Sequence, residues 1–297
     1  MPLADGQRPA PGTPTVSAQV DAWRAAAAAA AATRDQEFST SRFAAEVARI
    51  EQSEGPARRA EFLRAMLAAL LDTHRPRIAS LRLPDAVKAL IGNEYARIER
   101  QIASAPERRF DLRLHSLRCD FRIVAFNRIP AGVEHFEVGG VPRSLLWKGG
   151  GAQAAPLLAL FARAGGVKPF YVGHLAHGIP PRAFLLVYNE RSLAEWQRNV
   201  AASLQMNPHI RGFIASGWFY DPQLASVSPH LAFIREGSMA HGAVLARVGP
   251  TEGAIKYALA RSPERQRLYD GGEYLPTSHA VIWTREAMLK WAGLAEG

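Results

Sequence analysis

The sequence predicts an α+β fold: a helical N-terminal region followed by a mixed, largely antiparallel sheet flanked by helices. Three observations predict it. Ala, Arg, Glu and Leu dominate residues 16–105, and the apolar positions there recur at helical spacing. The texture changes at Pro106, after which short apolar segments alternate with polar residues in strand fashion. Beyond residue 150, strand-like and helix-like segments interleave, the pattern of helices packed on a sheet. The organisation expected is a flexible leader over 1–15, a helical region over 16–105 and an α/β region over 106–297.

The elements follow in order. Ser39 is set to cap a helix carrying Phe43, Val47 and Ile50. Phe62, Met66 and Leu70 mark a stripe on a second helix starting at Pro56, and Pro76 closes it. Pro84 opens another, with Val87, Ile91, Tyr95 and Ile98 on one face. Alternation then predicts strands over Phe110–Leu114 and Cys119–Ile123. Gly139-Gly140 between Val133–Val138 and Arg143–Trp147 predicts a hairpin. A helix is expected over Ala152–Ala164, and buried strands over Phe170–Leu175 and Ala183–Tyr188. Ser192 and Glu195 read as a capping box opening a helix to Leu204. Further strands are expected at Ile210–Ser216, Leu231–Ile234, Ala243–Val248 and Ala280–Trp283. Helices are expected at Thr251–Arg261, Glu264–Tyr269 and Glu286–Trp291.

Composition narrows the function classes. The chain has 297 residues, 48% hydrophobic and 21% charged, which is ordinary for a folded protein. Its one cysteine, Cys119, excludes an internal disulfide and a multi-cysteine metal site. Formal net charge is +9, but the cations are spread: 16 Lys and Arg against 13 Asp and Glu up to residue 110, and 20 against 14 after it. Only five are lysines, an Arg- and Ala-rich bias of the kind codon usage produces. A nucleic-acid binder concentrates its cations on one face or arm, so no nucleic-acid partner is expected. Ala25–Ala32 is too short and too weakly apolar to span a membrane, and Asp5 and Asp21 offset Arg8 and Arg24, so a cytoplasmic location is expected.

The chemistry-bearing segments lie late in the chain. Ser262–Tyr274 reads Ser-Pro-Glu-Arg-Gln-Arg-Leu-Tyr-Asp-Gly-Gly-Glu-Tyr. It resembles the late helix-to-strand signature of the GNAT-type N-acyltransferase superfamily. That signature runs Asn, six residues, Tyr, then a glycine turn and an aromatic opening a strand. Here Ser262 stands at the Asn position, Leu268-Tyr269 at the Leu-Tyr pair, Gly271-Gly272 at the turn and Tyr274 at the aromatic. The resemblance implies a GNAT-like acyltransferase that moves an acyl group from a thioester to an amine of a small molecule or amino acid. The donor implied is acyl-CoA or an acyl carrier protein, and Tyr269 is implied as the general acid for the leaving thiolate. Glu190, Asp221 and His177 are the candidates to deprotonate or orient the amine. Trp218, Phe219 and Tyr220, three successive aromatics before Asp221-Pro222, read as a pocket wall or as a core strand running into a turn. Arg182 and Asn189 complete the substrate-binding set.

One departure stands out. The family's Gln/Arg-x-x-Gly-x-Gly/Ala pyrophosphate loop is missing, and Tyr188-Asn189-Glu190-Arg191-Ser192, in its place, has no glycine. A donor presented by an acidic carrier protein would suit that gap and the basic charge. No Gly-x-Ser-x-Gly elbow, Walker A string or dinucleotide fingerprint occurs. Two alternatives remain. His135-x-Glu137 with His174 or His177 has the residue types of a facial iron(II) triad, in which Arg182 would hold a 2-oxo acid; that resembles the jelly-roll dioxygenases. The helical stripes could instead serve a non-enzymatic binding protein. In the acyltransferase reading no metal is expected.

Overall fold

A computed structural model describes residues 15–33, 35–175, 188–260 and 262–294. The chain divides into two compact units, one of residues up to 79 with 92–127, the other of 80–91 with 128–297. The fold class is the expected one: a helical N-terminal region followed by a mixed six-stranded sheet flanked by helices.

The first unit is helical. Its elements are α1 (Val16–Ala31), α2 (Asp35–Ser39), α3 (Arg42–His74), the later part of α4 (Asp85–Ser104) and α5 (His115–Val124). Thr15 and Ser41 cap α1 and α3 through their hydroxyls. The cap of α3 is therefore Ser41 rather than Ser39. α3 is interrupted at Gly55, whose φ of 89° favours glycine, and Pro56 restarts it at a first-turn position. The core is aromatic: Phe38, Phe43, Phe62 and Phe121 pack with ring centroids 5.7–6.2 Å apart.

The strands expected at 110–114 and 119–123 are absent. Residues 115–124 form α5, in which Leu117 and every residue from Cys119 to Val124 are buried. Cys119, Phe121 and Ile123 are interleaved with Asp120 and Arg122, which are buried as well, so the apolar–polar alternation here does not mark two faces of a strand.

In the second unit the strands are β1 (Ile129–Pro130), β2 (Glu134–Gly139), β3 (Phe170–Leu175), β4 (Gly212–Gly217), β5 (Val244–Gly249) and β6 (Ser278–Thr284). Between β2 and β3 lie α6 (Leu145–Lys148) and α7 (Gly151–Arg163). α8 (Glu190–Met206) connects to β4. Then come α9 (Leu224–Val227), α10 (Phe233–Ala240), α11 (Glu252–Leu259), α12 (Pro263–Asp270) and α13 (Arg285–Ala292). The sheet order is β1-β2-β3-β4-β6-β5. All neighbours are antiparallel except β3 and β4, whose parallel ladder joins Tyr171 to Phe213 and Val172 to Ile214. A parallel pair needs a crossover, and α8 lies in it.

Helices cover both faces. On one, Phe170, Ile214, Ala280 and Ile282 pack with Leu157, Leu160 and Phe161 of α7. On the other, Trp196 of α8 meets Phe213 edge-on at 5.1 Å, and Trp291 of α13 meets Trp283 at 5.3 Å.

Three local expectations are corrected here. Gly139-Gly140 is not a hairpin turn. A side chain at Gly139 would lie 2.7 Å from Val172 Cγ2 and one at Gly140 2.7 Å from Lys168 Cε, so both glycines serve close packing, and 145–148 is a helical turn. Leu231–Ile234 spans a 3₁₀ turn and the start of α10 rather than a strand. The cap of α8 is Asn189, with Ser192 completing the reciprocal box at 3.0 Å in both directions. Asn189→Ala is expected to cost about 1 kcal/mol in urea denaturation, and Asn189→Asp, which preserves the cap, much less. The expected strand at 183–188 lies almost wholly outside the described residues; Tyr188 itself is a buried bend.

Candidate functional site

The polar core of the second unit gathers at the carboxyl ends of β3 and β4, which run in the same direction. In open sheets with helical crossovers, ligands bind beyond the carboxyl ends of such strands. Glu134 opens β2 directly opposite Leu175, the last residue of β3. Its side chain is 1% exposed. Tyr188, just before α8, donates a short hydrogen bond to Glu134 Oε1, and Tyr220, just after β4, is buried within electrostatic reach of the same carboxyl. Burial disfavours the ionised form and pushes the Glu134 carboxyl up to about 7; the Tyr188 hydroxyl opposes this by donating to it. Burial first, then the neighbouring carboxylate, pushes both phenols well above their ordinary range. The result is a carboxyl that changes protonation near neutrality beside two neutral phenols.

A second buried set adjoins Tyr220 in sequence. Asp221 accepts from the Thr277 backbone N–H at 2.9 Å through Oδ2 and from the Gln223 N–H at 3.1 Å through Oδ1. It thereby ties the loop after β4 to the start of β6. His279, two residues on, shares Nδ1 with the Thr277 carbonyl at 3.2 Å, and burial holds its imidazole below the usual range. Arg265 of α12 is buried, donates to the Ala258 carbonyl at 2.7 Å and to Ser228 Oγ at 2.8 Å, and sits 5.0 Å over the Trp218 ring. Tyr274 is 2% exposed and its hydroxyl has no hydrogen-bond partner among the described residues. Burial, with Asp221 nearby, pushes that phenol above its ordinary range.

The sequence-derived candidates fall as follows. Trp218, Phe219 and Tyr220 form one 3₁₀ turn, with Phe219 and Tyr220 buried and Trp218 half-buried. The structure brings Tyr220 to Glu134 and Trp218 to Arg265. Asp221 has both oxygens engaged by backbone, a positioning contact. Asn189 is the α8 cap, and Glu190 is exposed in the first turn of α8. Tyr269 is half-buried on α12, with no hydrogen bond from its hydroxyl among the described residues. Gly272, at φ 72°, makes the turn that follows it, but β6 opens only at Ser278, four residues past Tyr274. His177 and Arg182 lie outside the described residues. A splayed parallel pair near 184–188 and 210–216 would make the thioester slot. Residues 184–187 also lie outside the described residues, and the parallel partner seen for β4 is β3.

Glu134, Tyr188 and His279 are members that sequence reasoning missed. The missed signal was alternation: Glu134 shares a strand face with Phe136, while attention to the His-x-Glu pair selected His135 and Glu137, on the opposite face. On that opposite face His174 lies across from His135 and reaches Glu137 Oε2 at 3.2 Å. Among the described residues, no group of three His, Cys, Asp or Glu side chains is placed to hold a metal ion. The closed double sheet that the iron reading requires is not the architecture found, which is one open six-stranded sheet.

Among solved structures, the chain is similar to a crystal structure of an acyltransferase in complex with decanoyl-CoA and teicoplanin. The two share 14% identity over 84% of this chain and 77% of that one, with a TM-score of 0.44. No family model matches the chain, and no curated protein matches it. No helix among the described residues is long and apolar enough to cross a membrane.

Proposed function

We propose that this protein is an acyltransferase that moves an acyl group from a thioester donor to an amine, with Glu134 as the general base. The observation that carries the reading is the Glu134–Tyr188–Tyr220 cluster at the carboxyl ends of the parallel pair β3 and β4. A base is most useful when its pKa lies near the working pH, and burial brings this carboxyl there. The Glu134 carboxylate takes the proton released as the amine nitrogen bonds the acyl carbon. The Tyr269 phenol gives its proton to the sulfur as the carbon–sulfur bond breaks. Tyr188 holds the carboxylate in place through its hydroxyl. Trp218, Phe219 and Tyr220 line the acyl or acceptor side, and Asp221 with His279 sets the position of that turn. The Ser262–Tyr274 resemblance supports the assignment of Tyr269.

The donor is acyl-CoA or an acylated carrier protein, and the acceptor a small-molecule or amino-acid amine. The test is a panel of acyl-CoA thioesters and primary amines, with thiol release and amide mass read together. Amide formation with thiol released one for one is expected from the wild type. Tyr269→Phe, which keeps the fold, is expected to lower kcat by about 10²-fold or more with little change in KM. Full activity in that variant would remove Tyr269 as the acid, and no amide from any pair with either donor type would overturn the reading.

A further inference from the structure

The opposite end of β4 carries a second polar feature, away from Glu134. Gly212, which opens β4, pairs with Thr284, which ends β6, whereas Tyr220 follows the far end of the same strand. Around this near end, the last turn of α7, residues 208–211, the start of β5 and the first turns of α13 enclose a cleft of about 1220 Å³. Four cations line it, Arg163, Arg211, Arg285 and Lys290, and one carboxylate, Glu286.

Among the described residues, none of the four has an ion-pair partner. Arg211 uses Nε on the Lys168 carbonyl at 2.6 Å and Nη1 on the Ala164 carbonyl at 2.8 Å. Arg285 uses Nη1 on the Leu204 carbonyl, and its Nη2 is buried with no hydrogen-bond partner among the described residues. Carbonyl oxygens hold these guanidinium groups still without neutralising them. Arg163 and Lys290 are exposed at the edge. Uncompensated cations around a concavity focus a positive potential into it, and a fixed guanidinium matches the paired oxygens of a phosphate group. The positive end of α13 adds to the field. The volume exceeds what a single phosphate fills and lies above the roughly 300–1,000 Å³ of ordinary small-molecule pockets, so it leaves room for a nucleotide-sized molecule.

We propose that this cleft binds a small diphosphate-bearing compound. Two sources share that chemistry, inorganic pyrophosphate and the diphosphate of a nucleotide, and titration calorimetry with pyrophosphate and with ADP separates them. Tighter binding of ADP by tenfold or more assigns a nucleotide; equal affinity assigns the diphosphate group alone. Arg163→Gln/Lys290→Gln removes two exposed charges with no packing role, so its fold is expected to be intact by circular dichroism. It is expected to weaken binding at least tenfold. Raising sodium chloride from about 0.05 to about 0.5 M is expected to weaken the wild type in the same direction. No binding of either probe at about 1 mM, or unchanged affinity in the double variant, overturns the proposal. The inference does not rest on acyl transfer, and Glu134→Gln is expected to bind both probes as the wild type does.

Discussion

Glu134→Gln is expected to remove a loss of stability that the wild type suffers as pH rises from about 4.5 to about 7. The carboxyl has an ordinary value of 4.5 and is pushed up to about 7 in the folded chain. Between those values the folded state holds a proton that the unfolded state has released. Folded chains binding more protons than unfolded ones lose stability as pH rises. The contribution of Glu134 is thus fully present below 4.5, declines through the window and is gone above 7. The size of the shift corresponds to about 3 kcal/mol. The amide of Gln is close in shape, still accepts from the Tyr188 hydroxyl and does not titrate. Urea denaturation at pH 5 and pH 8 is the check. The wild type is expected to lose about 2.5 kcal/mol more than the variant between the two. Parallel losses in both proteins would show that Glu134 titrates normally, and the proposed base would lose its physical ground.

Gly212→Ala carries the second large effect. Gly212 begins β4 in the middle of the sheet, and a methyl there would collide with the carbonyl oxygen of Trp283. It would also lie 2.8 Å from Phe170 Cε1 and 3.1 Å from Thr284 Cα. Two of those three neighbours are backbone, which cannot rotate away. The expected cost is about 3 kcal/mol, at the upper end of overpacking effects. Gly237→Ala is the contrast. That glycine lies inside α10 with nothing near its missing side chain, so alanine is expected to add about 0.5–1 kcal/mol through helix propensity alone. Chemical denaturation of the two variants side by side decides the matter. A Gly212→Ala protein within about 0.5 kcal/mol of the wild type would mean β4 is not packed as described.

The legibility of this chain in its sequence varied with burial. Where one face is wet, periodicity was reliable: Val87, Ile91, Tyr95 and Ile98 predict α4, and Thr251 and Thr284 sit as caps where helices were expected. Where buried polar residues interleave with apolar ones, as Asp120 and Arg122 do within Cys119–Ile123, the alternation imitates a strand, and the short run Leu231–Ile234 is a 3₁₀ turn and the start of α10. Glycine signals were ambiguous for a related reason. Gly271-Gly272 makes the turn it suggests, while Gly139-Gly140 admits the Val172 and Lys168 side chains instead. The order of the strands was not legible at all, because pairing β4 with β3 and β6 depends on contacts far apart in sequence.

The candidate site was half legible. Aromatic crowding at 218–220 marks the right loop, and Tyr220 lies within electrostatic reach of a carboxyl that burial pushes up. That carboxyl, Glu134, gave no sign in sequence: a single glutamate at a strand start looks solvated until Tyr188, 54 residues later, closes over it. The even spread of positive charge also sharpened. Four cations that look scattered, at 163, 211, 285 and 290, meet around one cleft at the start of β4.

The central claim is that Glu134 accepts a proton from an amine attacking a thioester. The pH dependence of kcat/KM for acyl transfer, measured by thiol release in the wild type and in Glu134→Gln, tests it most directly. The claim predicts a rising limb near pH 7 in the wild type and, in the variant, no such limb and a rate lower by about 10²-fold or more. A Glu134→Gln protein that transfers acyl groups at the wild-type rate, with the same limb, would contradict it.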